Sequence, residues 1–332
     1  MTGPAVAVVV PTHDRAALLV PALQSILDQR DVALEVIVVD DGSGPRDAAA
    51  VRSLAGGSVR VLRNEVAGGV GAARNRGAAA ARAPWVSFCD DDDLWVPTKL
   101  ARQLDAASST ERCWAYTGAV KFEAGPVVWQ VMEPPTPAEV HARLPSKNVI
   151  PAGASNVLVD REVFLTVGGF DPALAHLADW DLWLKLRETG LPAAAAGIGV
   201  CYRMHTGAMS LNPNGILEDL ATIDVRWRHA RGGEALDPGP THLWIAMSWL
   251  RAGRRLPAAL SYLRAARSRP RRGLRGLLRT AYPRPPMPPR AQRSSRAGDG
   301  RQRGGPADLP DEVRHLLAEL AAAGASPPAA RP

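Results

Sequence analysis

Four short apolar runs, each closed by a polar or glycine-rich turn and separated by helical patterns, fill the first hundred residues. Ala5–Val10 stops at Pro11-Thr12, and Val36–Val39 ends in Asp40-Asp41-Gly42-Ser43-Gly44. Val59–Leu62 leads into a glycine-rich turn, and Trp85–Cys89 ends in four consecutive aspartates. Between the strands, Arg15–Gln29 carries Leu18, Leu19, Ala22, Leu23, Ile26 and Leu27 at helical spacing, and Val70–Arg82 is a helical, Ala-rich stretch. Strand–helix alternation of this kind builds an α/β fold with a doubly wound, mostly parallel sheet and helices on both faces.

The rhythm then changes. Pro97–Ala107 is predicted as a helix and Cys113–Tyr116 as a strand, with Val120–Phe122 and Val127–Val131 as hairpin arms. Glu133–Pro151 is Pro-rich and irregular, and its length points to an active-site or binding loop. Ser155–Val159 reads as a strand, Asp160–Val167 and Asp179–Glu188 as helices, and Ile198–Tyr202 as the last strand. From Gly215 to Thr280 the pattern is helical. Pro283–Pro306 has the composition of a disordered segment, and Leu309–Ala323 that of a terminal amphipathic helix. The expected organisation is an α/β domain over 1–214, a helical extension over 215–281 and a basic tail over 282–332.

Charge is distributed unevenly. Arg251 to Ala307 contains 16 Arg, no Lys and a single acid, Asp299, so this segment carries +15 of a net +7 and leaves −8 for the rest. The folded body is acidic, which argues against a nucleic-acid-binding domain. The segment at 251–307 could instead hold the chain against an anionic membrane surface. Three cysteines lack the spacing of a disulfide framework or zinc site. The chain opens without the pattern of a signal peptide, and no run approaches the roughly 18 apolar residues needed to span a bilayer. A cytoplasmic protein, at most peripheral at the inner face of the membrane, is expected.

The carboxyl edge of such a sheet is where ligands bind. Asp90-Asp91-Asp92-Asp93 at that edge repel one another, and a hard cation such as Mg²⁺ or Mn²⁺ would relieve the repulsion while leaving room for a diphosphate. An acidic turn capping the next helix explains the same residues. Asp40 could accept a hydrogen bond from a base or a ribose, or belong to a plain Asp-Gly turn. Gly68-Gly69-Val70-Gly71-Ala72-Ala73-Arg74-Asn75 lacks dinucleotide-site spacing but suits a tight turn into a helix whose N-terminus and Arg74 face an anion. Asp179 and Asp181 flank Trp180 near a helix start and cannot both face one way. One could enter a cleft and accept a proton while the other caps the helix.

In order, these pieces resemble the family 2 glycosyltransferases, whose fold is the nucleotide-diphospho-sugar transferase type, GT-A. The matching segments are Val8-Val9-Val10-Pro11-Thr12-His13-Asp14-Arg15, Val38-Val39-Asp40-Asp41-Gly42-Ser43, Ala73-Arg74-Asn75-Arg76-Gly77 and Phe88-Cys89-Asp90-Asp91-Asp92-Asp93-Leu94-Trp95. Val167-Gly168-Gly169-Phe170-Asp171 and Asp179-Trp180-Asp181-Leu182-Trp183-Leu184 complete the set. The usual Tyr-Asn after the first strand is His13-Asp14 here, and the usual Glu before the base is Ala178.

The resemblance implies an inverting, metal-dependent transferase that moves a sugar from a nucleotide-sugar donor, by default a UDP-sugar, to an acceptor hydroxyl in polysaccharide, glycolipid or natural-product synthesis. Pro11, Thr12, Asp40, Asp41, Arg74, Asp90 and Asp91 would bind the donor. Asp92, with His205, would hold Mg²⁺ or Mn²⁺, and Asp179 would be the general base. Two rivals are a nucleotidyltransferase and a scaffold that has lost catalysis. The first would show a basic Gly-rich loop where Pro11-Thr12-His13-Asp14-Arg15 stands, and the second is opposed by the retained aspartates.

Overall fold

A computed structural model of the chain describes residues 3–123, 128–204, 213–281 and 309–322. These form two compact units: 3–123, 128–174, 178–204 and 309–322 in the first, 175–177 and 213–281 in the second.

The first unit is built on one sheet. Strand β1 (Val6–Thr12) leads to helix α1 (Ala16–Leu27), β2 (Leu34–Asp41) to α2 (Pro45–Ser53), and β3 (Val59–Asn64) to α3 (Val70–Ala80). Next come β4 (Trp85–Phe88), β5 (Leu94–Trp95), α4 (Lys99–Ser109), β6 (Trp114–Phe122), β7 (Val128–Met132) and α5 (Pro137–Arg143). The unit continues with β8 (Leu158–Asp160), α6 (Arg161–Thr166), α7 (Ala178–Thr189) and β9 (Ala193–Arg203). Strand order is β3-β2-β1-β4-β8-β6-β9-β5, with β7 added to β6.

Strands β3, β2, β1 and β4 run parallel, as the alternation predicts, and so do β6 and β9. Strands β8, β7 and β5 pair antiparallel, so the sheet as a whole is mixed. β1 is buried at every position because both its faces are covered. Val6, Val8 and Val10 share a core with Leu19, Leu23 and Ile26 of α1. On the other face Gly77 of α3 lies so close to Val9 that a Cβ would collide with its methyl groups. The parallel pairing places Thr12 opposite Asp40, which brings the polar ends of β1, β2 and β4 to one edge.

Four elements depart from the sequence reading. The expected strands at Cys113–Tyr116 and Val120–Phe122 are one strand, β6, held to β9 through two register shifts. The region 133–151 is not wholly irregular, because it contains α5. There the Thr136 side chain accepts from the Glu139 amide while Glu139 reaches back to the Thr136 amide, a capping box. The strand expected from Ser155 starts only at Leu158. Ala152 and Gly153 are left-handed (φ 56° and 50°) and turn the chain into a 3₁₀ turn over Gly153–Asn156. Strand β5, two residues long, carries no periodic signal.

The second unit contains helix α8 (Pro213–Arg226), a 3₁₀ turn at Arg228–Arg231, and helices α9 (Gly239–Arg251), α10 (Arg255–Ala266) and α11 (Pro270–Ala281). Asp219 of α8 accepts hydrogen bonds from the amides of His176 and Leu177 (2.7 and 2.9 Å). The expected terminal helix is present as α12 (Asp311–Ala322) and belongs to the first unit. Its Val313, Leu317 and Leu320 pack with Leu94, Val120, Phe122, Val128 and Ile198. Of the basic tail expected over 282–332, residues 282–308 and 323–332, including the stretch Pro283–Pro306 read as disordered, lie outside the described residues.

Candidate functional site

The four aspartates after β4 face four different surroundings. Asp90, the most open of them, pairs with the buried Arg74 of α3, and its amide donates to Ser155 Oγ (3.0 Å). Asp91 turns inward, accepting from Thr12 Oγ1 at 2.7 Å, with Arg15 Nη1 3.5 Å away. Burial, together with the neighbouring Asp92, pushes its carboxyl up to about 7. Asp92 Oδ2 lies 3.1 Å from Arg15 Nη1. Asp93 is fully buried and accepts from the Arg203 amide of β9 (3.0 Å). Its carboxyl is raised by burial and by Asp92 and Asp90.

Arginines thus supply countercharge to this run. Arg15 was not assigned a role in the sequence reading, although it closes the turn that follows β1. Arg203 donates from Nε to the Asp92 carbonyl (3.0 Å).

The end of β2 divides its two aspartates in a similar way. Asp40 accepts from the Ser43 amide (3.0 Å) and pairs with Arg63. Burial pulls its carboxyl up, but the Ser43 and Arg63 hydrogen bonds outweigh that and hold it below the usual range. Asp41 commits both oxygens to the protein, accepting from Asn64 Nδ2 (2.5 Å), the Gly68 amide (3.0 Å) and the Gly69 amide (2.8 Å). It fixes the glycine turn that starts α3. Pro11 and Thr12 are likewise buried in β1, so Pro11, Thr12, Asp41 and Asp91 shape the edge from beneath.

Helix α3 delivers Arg74 to this edge, and its guanidinium carbon sits 5.0 Å from the centre of the Phe170 ring. The adjacent Asn75 clasps the Gly168-Gly169-Phe170 turn, donating to the Phe170 carbonyl (2.7 Å) and accepting from the Phe170 amide (2.9 Å). Gly169 has φ +61°, and a Cβ there would lie 2.5 Å from Asn75 Oδ1. The Ala-Arg-Asn and Gly-Gly-Phe motifs, far apart in sequence, are therefore one structural joint.

Asp179 occupies the first turn of α7, half-buried, while Asp181 two residues on is fully buried and paired with Lys185 (2.9 Å). The two carboxylates face different surroundings, but Asp181 neither caps the helix nor meets solvent: it is buried against Lys185 one turn on. Asp179 accepts from the Trp180 amide (2.7 Å) and from Asn148 Nδ2 (3.2 Å). Burial raises its carboxyl, and the Trp180 amide, the Arg74 charge and Asn148 only partly oppose the rise.

Asp179 and Asp90 share the 3₁₀ turn over Gly153–Asn156. Ser155 binds the Asp90 amide, and Gly153 packs so closely that a Cβ would fall 2.8 Å from Asp179 Oδ2. Asn156 anchors this turn from below, accepting from the Thr117 amide and donating to the Thr117 and Pro151 carbonyls. Asn148, Gly153 and Ser155 were not singled out in the sequence, and His205 lies outside the described residues.

Hard carboxylate oxygens at this edge are suited to Mg²⁺ or Mn²⁺. Among the described residues no three His, Cys, Asp or Glu side chains gather closely enough to hold an ion alone.

Residues 7–168 match the family described as Glycosyl transferase family 2. An uncharacterized glycosyltransferase of Haemophilus influenzae is 31% identical over 183 residues, covering 54% of this chain and 61% of its own length. The chain thus spans about three fifths of that relative. The Escherichia coli protein WfaP, a UDP-Glc:alpha-D-GlcNAc-diphosphoundecaprenol beta-1,3-glucosyltransferase, is 24% identical over 208 residues, 62% of this chain and 80% of its own length. Among solved structures, S. aureus TarS 1-349 in complex with UDP-GlcNAc superposes with a TM-score of 0.54 at 16% identity, covering 73% of this chain and 71% of the other. That likeness is one of fold.

Proposed function

We propose that the first unit transfers a sugar from a nucleotide-diphosphate donor to an acceptor hydroxyl, with inversion at the anomeric carbon. The observation that carries this reading is the shared turn at 153–156. It holds a half-buried carboxylate with a raised pKa, Asp179, beside the acidic strand end that would face a diphosphate. A carboxylate in that setting is poised to take the acceptor proton as the oxygen attacks.

In the same reading Asp40 lines the base pocket, and Asp90 and Arg74 meet the ribose and the diphosphate. Asp92 offers an oxygen to Mg²⁺ or Mn²⁺, which, when bound, supplies charge to the departing nucleoside diphosphate. Arg15 holds Asp91 and Asp92 in place and supplies countercharge beside them. A UDP-sugar is the donor proposed first, supported by the UDP-Glc donor of WfaP and by the UDP-GlcNAc complex of TarS. The acceptor proposed is a saccharide hydroxyl, in keeping with the GlcNAc-diphosphoundecaprenol named for WfaP.

Incubating the chain with UDP-, dTDP- and GDP-sugars, with and without Mn²⁺, tests the reading. A donor that binds the folded state raises its melting temperature by mass action. A cation-dependent rise with one nucleotide class, and slow release of its nucleoside diphosphate, is expected. Release of pyrophosphate instead would contradict the reading.

A further inference from the structure

We infer that helices α10 and α11 form a lipid-binding surface for anionic bilayers. On α10, the buried Ala258, Ser261, Tyr262 and Ala265 make up the packed face. The opposite face presents Leu256, Leu260 and Leu263, at i, i+4 and i+7, which are 73%, 50% and 51% exposed.

Helix α11 packs through glycines. A Cβ at Gly273 would lie 2.6 Å from the Ala266 backbone, and one at Gly276 would strike the Tyr262 ring. With glycine turned towards α10, the large residues of α11 point elsewhere. Leu274 and Leu278 are 56% and 66% exposed, and Arg271, Arg272, Arg275 and Arg279 are exposed with them.

Leucine stripes in water are unfavourable, and a helix pair that merely stayed soluble would carry polar residues there. Countercharge is also absent from the sequence here: no Asp or Glu occurs between Asp237 and Asp299. A nucleic acid would engage the arginines and leave the leucines wet. A bilayer with acidic headgroups satisfies both, with guanidinium on phosphate and leucine at the acyl boundary. Among the described residues no helix is long and apolar enough to cross a membrane, which makes this a surface contact. The contact lies in the folded helices and does not depend on the transfer reaction.

The test is co-sedimentation of the full chain with phosphatidylcholine vesicles containing phosphatidylglycerol, and with phosphatidylcholine alone. Binding to the acidic vesicles only is expected. The double variant R271Q/R275Q should weaken it about thirtyfold, at ~1 kcal/mol for each basic side chain. L274S/L278S should weaken it by roughly tenfold or more through lost apolar burial. Both pairs are exposed, so their melting temperatures should match the unaltered chain. Vesicle binding unchanged in both variants would overturn the inference. So would a stable dimer, or binding to duplex DNA, in place of binding to vesicles.

Discussion

Asn148 donates from Nδ2 to Oδ2 of Asp179 across 3.2 Å, linking the segment after α5 to the first turn of α7. A hydrogen bond to a carboxylate favours its ionised form and so opposes the rise that burial imposes. A general base must be ionised to work, so activity is lost as pH falls through its pKa. Asn148→Ala removes one restraint, and the pKa should climb further. The acidic limb of the transfer rate against pH should then move to higher pH by up to about one unit, given that a neutral donor to a charged group contributes ~1.5 kcal/mol. A limb that stays in place would detach Asn148 from the base.

Gly153 is the second support of Asp179. Its φ of +50° is a left-handed conformation, and a Cβ there would lie 2.8 Å from the carboxylate. Gly153→Ala should lower kcat by about tenfold to a hundredfold, because displacing a reacting group by a fraction of an ångström disrupts the attack geometry. Donor KM should change less than kcat, since Asp40 and Arg74, proposed nucleotide contacts on β2 and α3, lie outside the 153–156 turn. A rise in donor KM with unchanged kcat would contradict that placement.

Asp91 links the site to stability. Its folded pKa is about 7 against an ordinary 3.8, so between those values the folded chain binds the extra proton. Stability from this group is complete below the ordinary value and is lost as pH rises through 7. Asp91→Asn cannot ionise and should be spared that loss. The melting temperature of the variant relative to the natural chain should therefore be more favourable at pH 8 than at pH 5. A difference independent of pH would contradict the buried, ionisable placement of Asp91.

Asn75 joins α3 to the turn before Asp171 through a donor and an acceptor to Phe170. Asn75→Ala leaves both backbone groups unpaired and should cost about 1–3 kcal/mol, read as a lower denaturant midpoint. An unchanged midpoint would show that the two motifs hold together without it.

Much of the site was legible because the chemistry ends the strands. Asp40, Asp90 and Asp92 follow apolar runs whose edge the parallel sheet dictates, and Asp179 opens a helix that is plain in the sequence. What supports them was hidden by distance: Ser155 and Asp90 are separated by 65 residues, and Asn148 and Asp179 by 31. Helix α5 was masked by prolines, although Thr136-Pro137-Ala138-Glu139 carries the capping signal. The two left-handed residues at 152–153 broke a run that looked like a strand. Charge repulsion among the four aspartates pointed to a cation, but Arg15, Arg74 and Arg203 as countercharges emerge only when α1, α3 and β9 converge.

The central claim is that Asp179 removes the acceptor proton. The direct measurement compares Asp179→Asn with the natural chain in donor affinity and in transfer to a saccharide acceptor, using the donor chosen by the nucleotide screen. Asparagine keeps the shape and cannot accept the proton. The donor should bind with unchanged affinity while transfer falls by about a hundredfold to ten-thousandfold, the usual contribution of a positioned base. Transfer at a rate comparable to the natural chain would contradict the account.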